Sequence, residues 1–300
     1  MEFVLLGFQG SRQLRTVLFC LLFVLFWVTV FGNLVIITLV SSSRNLNTPM
    51  YFFISQLSIS DILLITTIVP NLLHILLNNG ASITFIGCFT QLYFFCALEA
   101  IECFLLTVMS YDRYVAICNP LHYTSIMTTG HCVGLAISSW LVSLSAAFCD
   151  TLSASWLKFC GPNIINHFFC DLVPIEEIAI SNTFPLQLQL YVFSIAFVVI
   201  PSLIIVTSYV NILHAILRIP SNISRQKAFS TCSSHLIVVS IFYCTLFSVY
   251  VLPKRRQTSD VNKIASLLYT VFTPLVNPII YSFRNKDIKK AIQETAQKCY

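Results

Sequence analysis

Three carboxylic acids stand where acids are rare. Asp61, Glu99 and Glu102 lie deep inside long apolar runs, in a chain of 300 residues of which 57% are hydrophobic and only 10% charged. A charge at the centre of an apolar layer costs ~3 kcal/mol on insertion scales, so such an acid faces an interior and is paired, hydrated or protonated. Asn33 and Asn277 stand in similar runs and could share one polar chamber with Asp61 and Glu102. Such a chamber can hold a sodium ion or a proton that differs between two helix packings; alternatively it is a satisfied polar network that only fixes helix register. A second group is Asp112-Arg113-Tyr114. Its guanidinium stays charged and needs a partner or water, unless it serves only as an anchor that reaches headgroups. A third is Asn277-Pro278: proline removes one backbone bond inside a helix and a neighbouring amide can take up the freed carbonyl, which makes a hinge for a two-state bundle.

These groups need long apolar elements to carry them. Windows of about 20 residues, the length that crosses a bilayer as helix, find seven runs, at 16–40, 50–77, 83–117, 132–147, 186–217, 230–252 and 264–283. They are continuous rather than alternating, which excludes barrel strands. The first is too long for a cleaved leader and lacks a small-residue cleavage site. Soluble domains carry roughly 25% charged residues, so a water-exposed surface is excluded as well. Turn residues at 45–49, 78–80 and 219–224 punctuate the runs. After Phe283 the chain reads as a short amphipathic helix, with Ile288, Ala291, Ile292 and Thr295 on one face and Lys286, Lys289 and Lys290 around it. The expectation is an all-α membrane fold: a seven-transmembrane helix bundle with a short amphipathic carboxy-terminal helix, one receptor domain over 1–300.

Enzyme and nucleic-acid readings find no footing. Among eight glycines there is no Gly-x-Gly-x-x-Gly and no phosphate loop, and neither His-Glu-x-x-His nor Gly-x-Ser-x-Gly occurs. The net charge of +5 forms no basic stripe. With the amino terminus outside, ten Lys and Arg face the cytoplasm and seven the exterior, although Lys254, Arg255 and Arg256 count the other way. Cys88 and Cys170 would then both lie on the side where disulfides form.

Several segments together resemble odorant receptors of the rhodopsin-like G-protein-coupled class. Residues 109–123 (MSYDRYVAICNPLHY) are similar to the inner end of that family's third helix, and residues 48–53 (TPMYFF), followed by Leu57 and Asp61, to its second. Residues 227–236 (KAFSTCSSHL) resemble the start of the sixth helix, and residues 274–281 (PLVNPIIY) with Arg284-Asn-Lys the seventh. Gly32-Asn33 fits the first helix and Ser208-Tyr209 the fifth, so the match covers nearly the whole chain.

The resemblance implies a function and assigns residues to it. The ligand is a small hydrophobic odorant, the partner a stimulatory heterotrimeric G protein, the output cyclic AMP, and the place a lipid plasma membrane, with sensory cilia expected. Arg113, beside Asp112 in sequence, holds the receptor off through local pairing, then swings toward Tyr209, Tyr281 and the G protein. Asn33, Asp61 and Glu102 form the interior cation or proton site, and Cys88 and Cys170 form a disulfide. The ligand wall is expected at Phe95, Cys96, Glu99, Ala100, Phe193, Phe197, Leu246, Phe247, Tyr250 and Thr270, mostly apolar as suits a poorly soluble ligand. Each of these could instead face lipid or core. Glu99 is unusual there: charged it would favour amines, and protonated it would donate to a carbonyl or ether. The spacing of His167, Cys170 and Asp171 would tolerate a metal, but a disulfide sulfur is not a thiolate ligand, so no metal is expected.

The chain also departs from the family pattern. Ile180 replaces the cysteine that would pair with Cys160, leaving that thiol free. Cys244 stands after Tyr243 where the family has glycine. The amino terminus begins at the pre-helix motif without a glycosylation triplet, and Asn222-Ile-Ser224 would face the cytoplasm unmodified. Cys118 and Cys299 would be cytoplasmic and reduced, with Cys299 a palmitoylation candidate. Three rivals stand beside it: a rhodopsin-like receptor for another ligand class, disfavoured by the short loop after the fifth span; a small-solute transporter, disfavoured by the odd span count and the absence of internal repeats; and a membrane adaptor without signalling, disfavoured by Arg113 and Asn277-Pro278.

Overall fold

The structure is a computed structural model and describes residues 1–248, 259–284 and 288–293. Tyr250, the cluster Lys254, Arg255 and Arg256, Lys286, Thr295 and Cys299 lie outside the described residues. Among the described residues, seven helical segments form the bundle: α1 (Arg12–Ser42), α2 (Pro49–Asn78), α3 (Phe85–Cys118), α4 (Thr129–Ser155), α5 (Phe184–Leu217), α6 (Asn222–Leu246) and α7, built of Ser259–Leu267 and Thr273–Arg284. Among the described residues, six helices are long and apolar enough to cross a membrane, and α6 contributes a shorter apolar stretch, His235–Leu246. The third helix is central, packing against α2, α4, α5 and α6, while α1 lies against α2 and α7.

Local chemistry sets the helix starts. The hydroxyls of Ser11, Thr84 and Thr128 accept from Leu14 N, Gly87 N and His131 N, and Pro49 opens α2 where its missing N–H is no loss. Asn79, left-handed at φ 58°, closes α2. Inside the helices, Thr29, Thr38, Thr67 and Thr107 return their hydroxyls to carbonyls four residues back, so these polar groups need no water. Both α5 and α7 pass through a π turn, Ile195–Val199 and Leu268–Phe272.

The packing is inverted relative to a soluble protein. On α1, Val17, Leu21, Val24, Val28, Phe31 and Val35 recur at three- and four-residue spacing and all point outward. Asn33, Asp61, Glu102 and Asp112 are buried. Apolar faces outward and acids inward are what a hydrocarbon solvent selects.

The elements differ from the hydropathy reading in four places. The run expected from 83 begins as a strand, and α3 starts only at Phe85 under its Thr84 cap. The fourth helix exceeds 132–147 at both ends, because serines such as Ser145 and Ser155 lower hydropathy yet bond back to Leu141 and Leu152 and continue the helix. The sixth begins at Asn222 rather than 230, since hydropathy reports contact with lipid and not helix length. Residues 288–293 are helical; Ile288 and Ala291 are buried as expected, but Ile292 is 40% exposed.

The sequence reading contains no strand, yet three short ones cover the end of the bundle that carries the Cys88–Cys170 disulfide. β1 (Glu2–Leu5) lies between β2 (Ala81–Thr84), antiparallel with Phe3 opposite Ile83, and β3 (Ile164–Ile165), parallel with Leu5 beside Ile165. Phe3 and Leu5 point into an apolar cluster with Ile75, Phe89, Leu92 and Cys170. Strands this short leave no periodic trace in long windows; only the alternation at Phe3 and Leu5 marks them.

Candidate functional site

At mid-depth, Asn277 donates its amide to both Asp61 oxygens at 3.1 Å. Glu102 is fully buried, and its carboxyl adjoins that of Asp61. No amide, hydroxyl or cation of the described residues meets either Glu102 oxygen, and Asn277 Oδ1 is equally without a donor. Two neighbouring carboxyls and an amide oxygen in a dry interior suit a hard cation or a shared proton. Asn33 does not join this group directly. Its amide donates at 3.1 Å to the carbonyl of Pro274, the acceptor that Pro278, four residues on, cannot satisfy. The sequence reading anticipated that rescue without saying which helix supplies it.

At the end of α3, Arg113 donates from Nε and Nη2 to Asp112 Oδ2, at 3.1 and 2.7 Å. The other oxygen of Asp112 accepts from Tyr123 Oη at 2.8 Å. Burial and the Asp112 charge push the Tyr123 hydroxyl up from its ordinary range, so it stays a donor. Tyr209 is engaged with His235 Nδ1 on α6, at 2.6 Å. The Tyr281 hydroxyl is buried without a partner among the described residues. Tyr114 and Tyr209 pack on Ile212, Ile216 and Cys232, between α3, α5 and α6. Sequence reasoning flagged the motifs that hold His235 and Tyr123 but gave neither side chain a role.

The expected ligand wall is brought together in part. Phe95 is buried, with Phe169 of the α4–α5 loop edge-on at 4.8 Å and Tyr269 at 6.2 Å. Cys96, Leu246 and Phe247 belong to the same apolar core. Thr270 is buried, but its hydroxyl bonds back to Ser266 O within α7. Ala100 is half-buried. Glu99 is 7% exposed, with neither oxygen met by a donor of the described residues, and the neighbouring charges that act on it, Glu102 and Asp171, are acidic. Phe193 and Phe197 form a ring ladder with Phe104, which lies nine residues from Phe95, on the opposite side of α3, but one turn from Ala100. A separate apolar cavity of about 520 Å³ opens between α5 and α6, bordered by Tyr209, Cys232, Tyr243 and Phe247.

The covering loop is fixed to α3 by the disulfide between Cys88 and Cys170, whose Cα atoms are 5.5 Å apart. Gln91 reinforces it, accepting from Cys170 N and donating to Thr67 O, both at 3.0 Å. Cys160 is exposed and unbonded. His167 is buried in the loop, its ring stacked on Phe168 with centroids 4.7 Å apart.

Residues 19–298 match the family model described as "Olfactory receptor". The chain is 45% identical over 297 residues to "Olfactory receptor 11L1" of Homo sapiens, covering 99% of this chain and 92% of that protein. It is 44% identical to "Olfactory receptor 10A7" of Homo sapiens (98% and 93% covered) and 42% identical to "Olfactory receptor 6Z7" of Mus musculus (98% and 94%).

Proposed function

The chain belongs to the olfactory receptor family, a family of multi-pass membrane receptors and not of enzymes, and from that premise we propose how this odorant receptor works. It binds small, apolar volatile molecules in the half of the bundle nearest the disulfide and activates a stimulatory heterotrimeric G protein, raising cyclic AMP. The amino terminus is extracellular, because the disulfide end must meet an oxidising compartment; the membrane is the plasma membrane of sensory cilia.

The observation that carries this reading is the clamp on Arg113. Asp112 holds the guanidinium with one oxygen and is itself held by Tyr123 with the other. In this resting arrangement Tyr209 is spent on His235, and Tyr281 is uncommitted. Activation releases Arg113 from Asp112 and offers it Tyr209 and Tyr281, with Asn277-Pro278 as the pivot. The G protein then meets the cytoplasmic ends of α3, α5 and α6, Tyr114 included. Asp61, Glu102 and Asn277 would hold a sodium ion or a proton, whose charge would offset the two carboxyls in the resting packing. The wall is drawn from Phe95, Cys96, Glu99, Ala100, Leu246, Phe247 and Thr270, with Tyr250, outside the described residues, as a further candidate. An unpaired Glu99 among acidic neighbours selects a protonated amine or a strong hydrogen-bond partner.

The test is a cell-based cyclic-AMP assay against a chemically diverse panel of volatiles. Arg113→Ala is expected to abolish the response with surface expression retained, and an undiminished response would sink the coupling mechanism. Glu99→Gln is expected to change the ranking of matched amines, alcohols and ketones. An equal shift for all three would make Glu99 structural.

A further inference from the structure

We propose that Lys263 is a latch: its ammonium ties the amino-terminal arm and the α4–α5 loop to α7 across the disulfide end of the bundle, and so controls passage to the wall carrying Phe95 and Cys96. The inference rests on that wall being the ligand site.

Lys263 lies in the first half of α7 and is 2% exposed, an unusual place for a lysine. Its aliphatic stem can be buried cheaply, but its head needs acceptors. Nζ donates at 2.8 Å to the carbonyl of Gly7 and at 2.8 Å to Asn166 Oδ1. Those partners are 256 and 97 residues away, in two different segments. Asp260, one turn back, is 3.8 Å from Nζ and itself 85% exposed, so it adds little to the hold.

Both tied segments form the cover of the bundle. The arm runs beside the loop through Val4 N to Asn163 O, Leu6 N to Ile165 O and Gly7 N to His167 O, at 3.0 to 3.1 Å. Gly7 has φ +62°, and a Cβ there would lie 2.4 Å from Ile75 Cγ2, so only glycine lets the arm press this closely onto α2. Phe8 then stacks on Phe168, with ring centroids 5.5 Å apart. The next loop residue, Phe169, is the one that meets Phe95 on the wall. The residue after that is Cys170, bonded to Cys88 at the start of α3.

This stretch of loop is therefore held by two different kinds of attachment. On the α3 side it is covalent and serves as a fixed hinge. On the α7 side its polar tie among the described residues is the pair of hydrogen bonds from one ammonium, which can be broken and remade. A cover hinged at one side and tied reversibly at the other opens without unfolding the helices beneath it.

The experiment uses purified receptor in lipid nanodiscs. Amide hydrogen exchange reports on the arm. Modification of Cys96 by a trimethylammonium methanethiosulfonate, read by peptide mass spectrometry, reports on passage to the wall. Lys263→Met is expected to speed exchange at Val4, Leu6 and Gly7 by roughly tenfold or more, the scale of one lost charge-assisted bond, and to quicken Cys96 modification comparably. Asn166→Ala keeps the ammonium and removes one acceptor; it is expected to act in the same direction with a smaller factor, and it serves if Lys263→Met does not fold. Exchange unchanged in the folded variants would overturn the latch. Faster exchange with unchanged Cys96 modification would overturn its control of passage. If Cys96 reacts faster while Phe95→Ala and Glu99→Gln leave every volatile response unaltered, the latch stands and the placement of the ligand wall falls.

Discussion

At the scale of single side chains, His167 shows how burial and one neighbouring charge set a pH dependence. The ring is 4% exposed, stacked on Phe168 at 4.7 Å and edge-on to Phe169. Burial, with the Lys263 charge as a second cause, brings its pKa down from 6.5 to about 3. A histidine that binds its proton only when released gives stability that is complete above about 6.5 and is lost as pH falls, by about 1.4 kcal/mol per unit toward about 3. Protection of the loop amides from exchange should therefore fall between pH 7.5 and 5.5, and His167→Phe should remove most of that fall. An equal loss in the variant would assign the effect to another group. Residue type alone was enough to single out Asp61, Glu99, Glu102 and Arg113, since a charge in an apolar run needs a reason. It was not enough for Lys263, which entered the sequence reading only as one external charge among seven. Its position near the edge of an apolar run was the available signal.

At the scale of elements, α1 meets α7 at a proline break inside that helix. Pro278 leaves the carbonyl of Pro274 without its helical partner, and Asn33 fills the gap from α1. Gly32 makes that approach possible: a Cβ on it would stand 3.3 Å from Pro278 Cγ. Asn33→Ala should strand a buried carbonyl, costing ~1–3 kcal/mol and lowering the melting temperature of purified receptor by several degrees. Gly32→Val should push the helices apart and lower it as well. An unchanged melting temperature for Asn33→Ala would mean that water replaces the amide. The pairing of Gly32-Asn33 with Pro278 joins segments 241 residues apart, from Asn33 to Pro274. Each half was readable as a motif, but their contact was not.

At the scale of the whole molecule, the cover over the bundle is organised by one covalent bond. Cys88 and Cys170 join positions 82 apart in sequence, and Cys160 is left exposed without a partner. Alkylation without reduction, followed by mass spectrometry, should find Cys160 modified and Cys88 linked to Cys170. A Cys160–Cys170 link would overturn that framework. Cys88→Ser should free the loop from α3 and sharply reduce surface receptor, because the cover then loses its fixed hinge and keeps only non-covalent attachments.

The sequence by itself determined the class of molecule, the bundle of apolar helices and the chemistry-bearing residues within it. Helices close their bonds between residues four apart, so their presence is written locally, and a hydrocarbon solvent turns hydropathy into a record of which stretches it surrounds. Only the tertiary structure decided the partners. It put Asn277 rather than Asn33 on Asp61, Tyr209 on His235, Phe193 and Phe197 beside Phe104 rather than Phe95, and Lys263 between Gly7 and Asn166. Such contacts join residues tens to hundreds of positions apart, and their energy comes from desolvated groups finding one another after the helices have packed, which no local pattern of residues encodes.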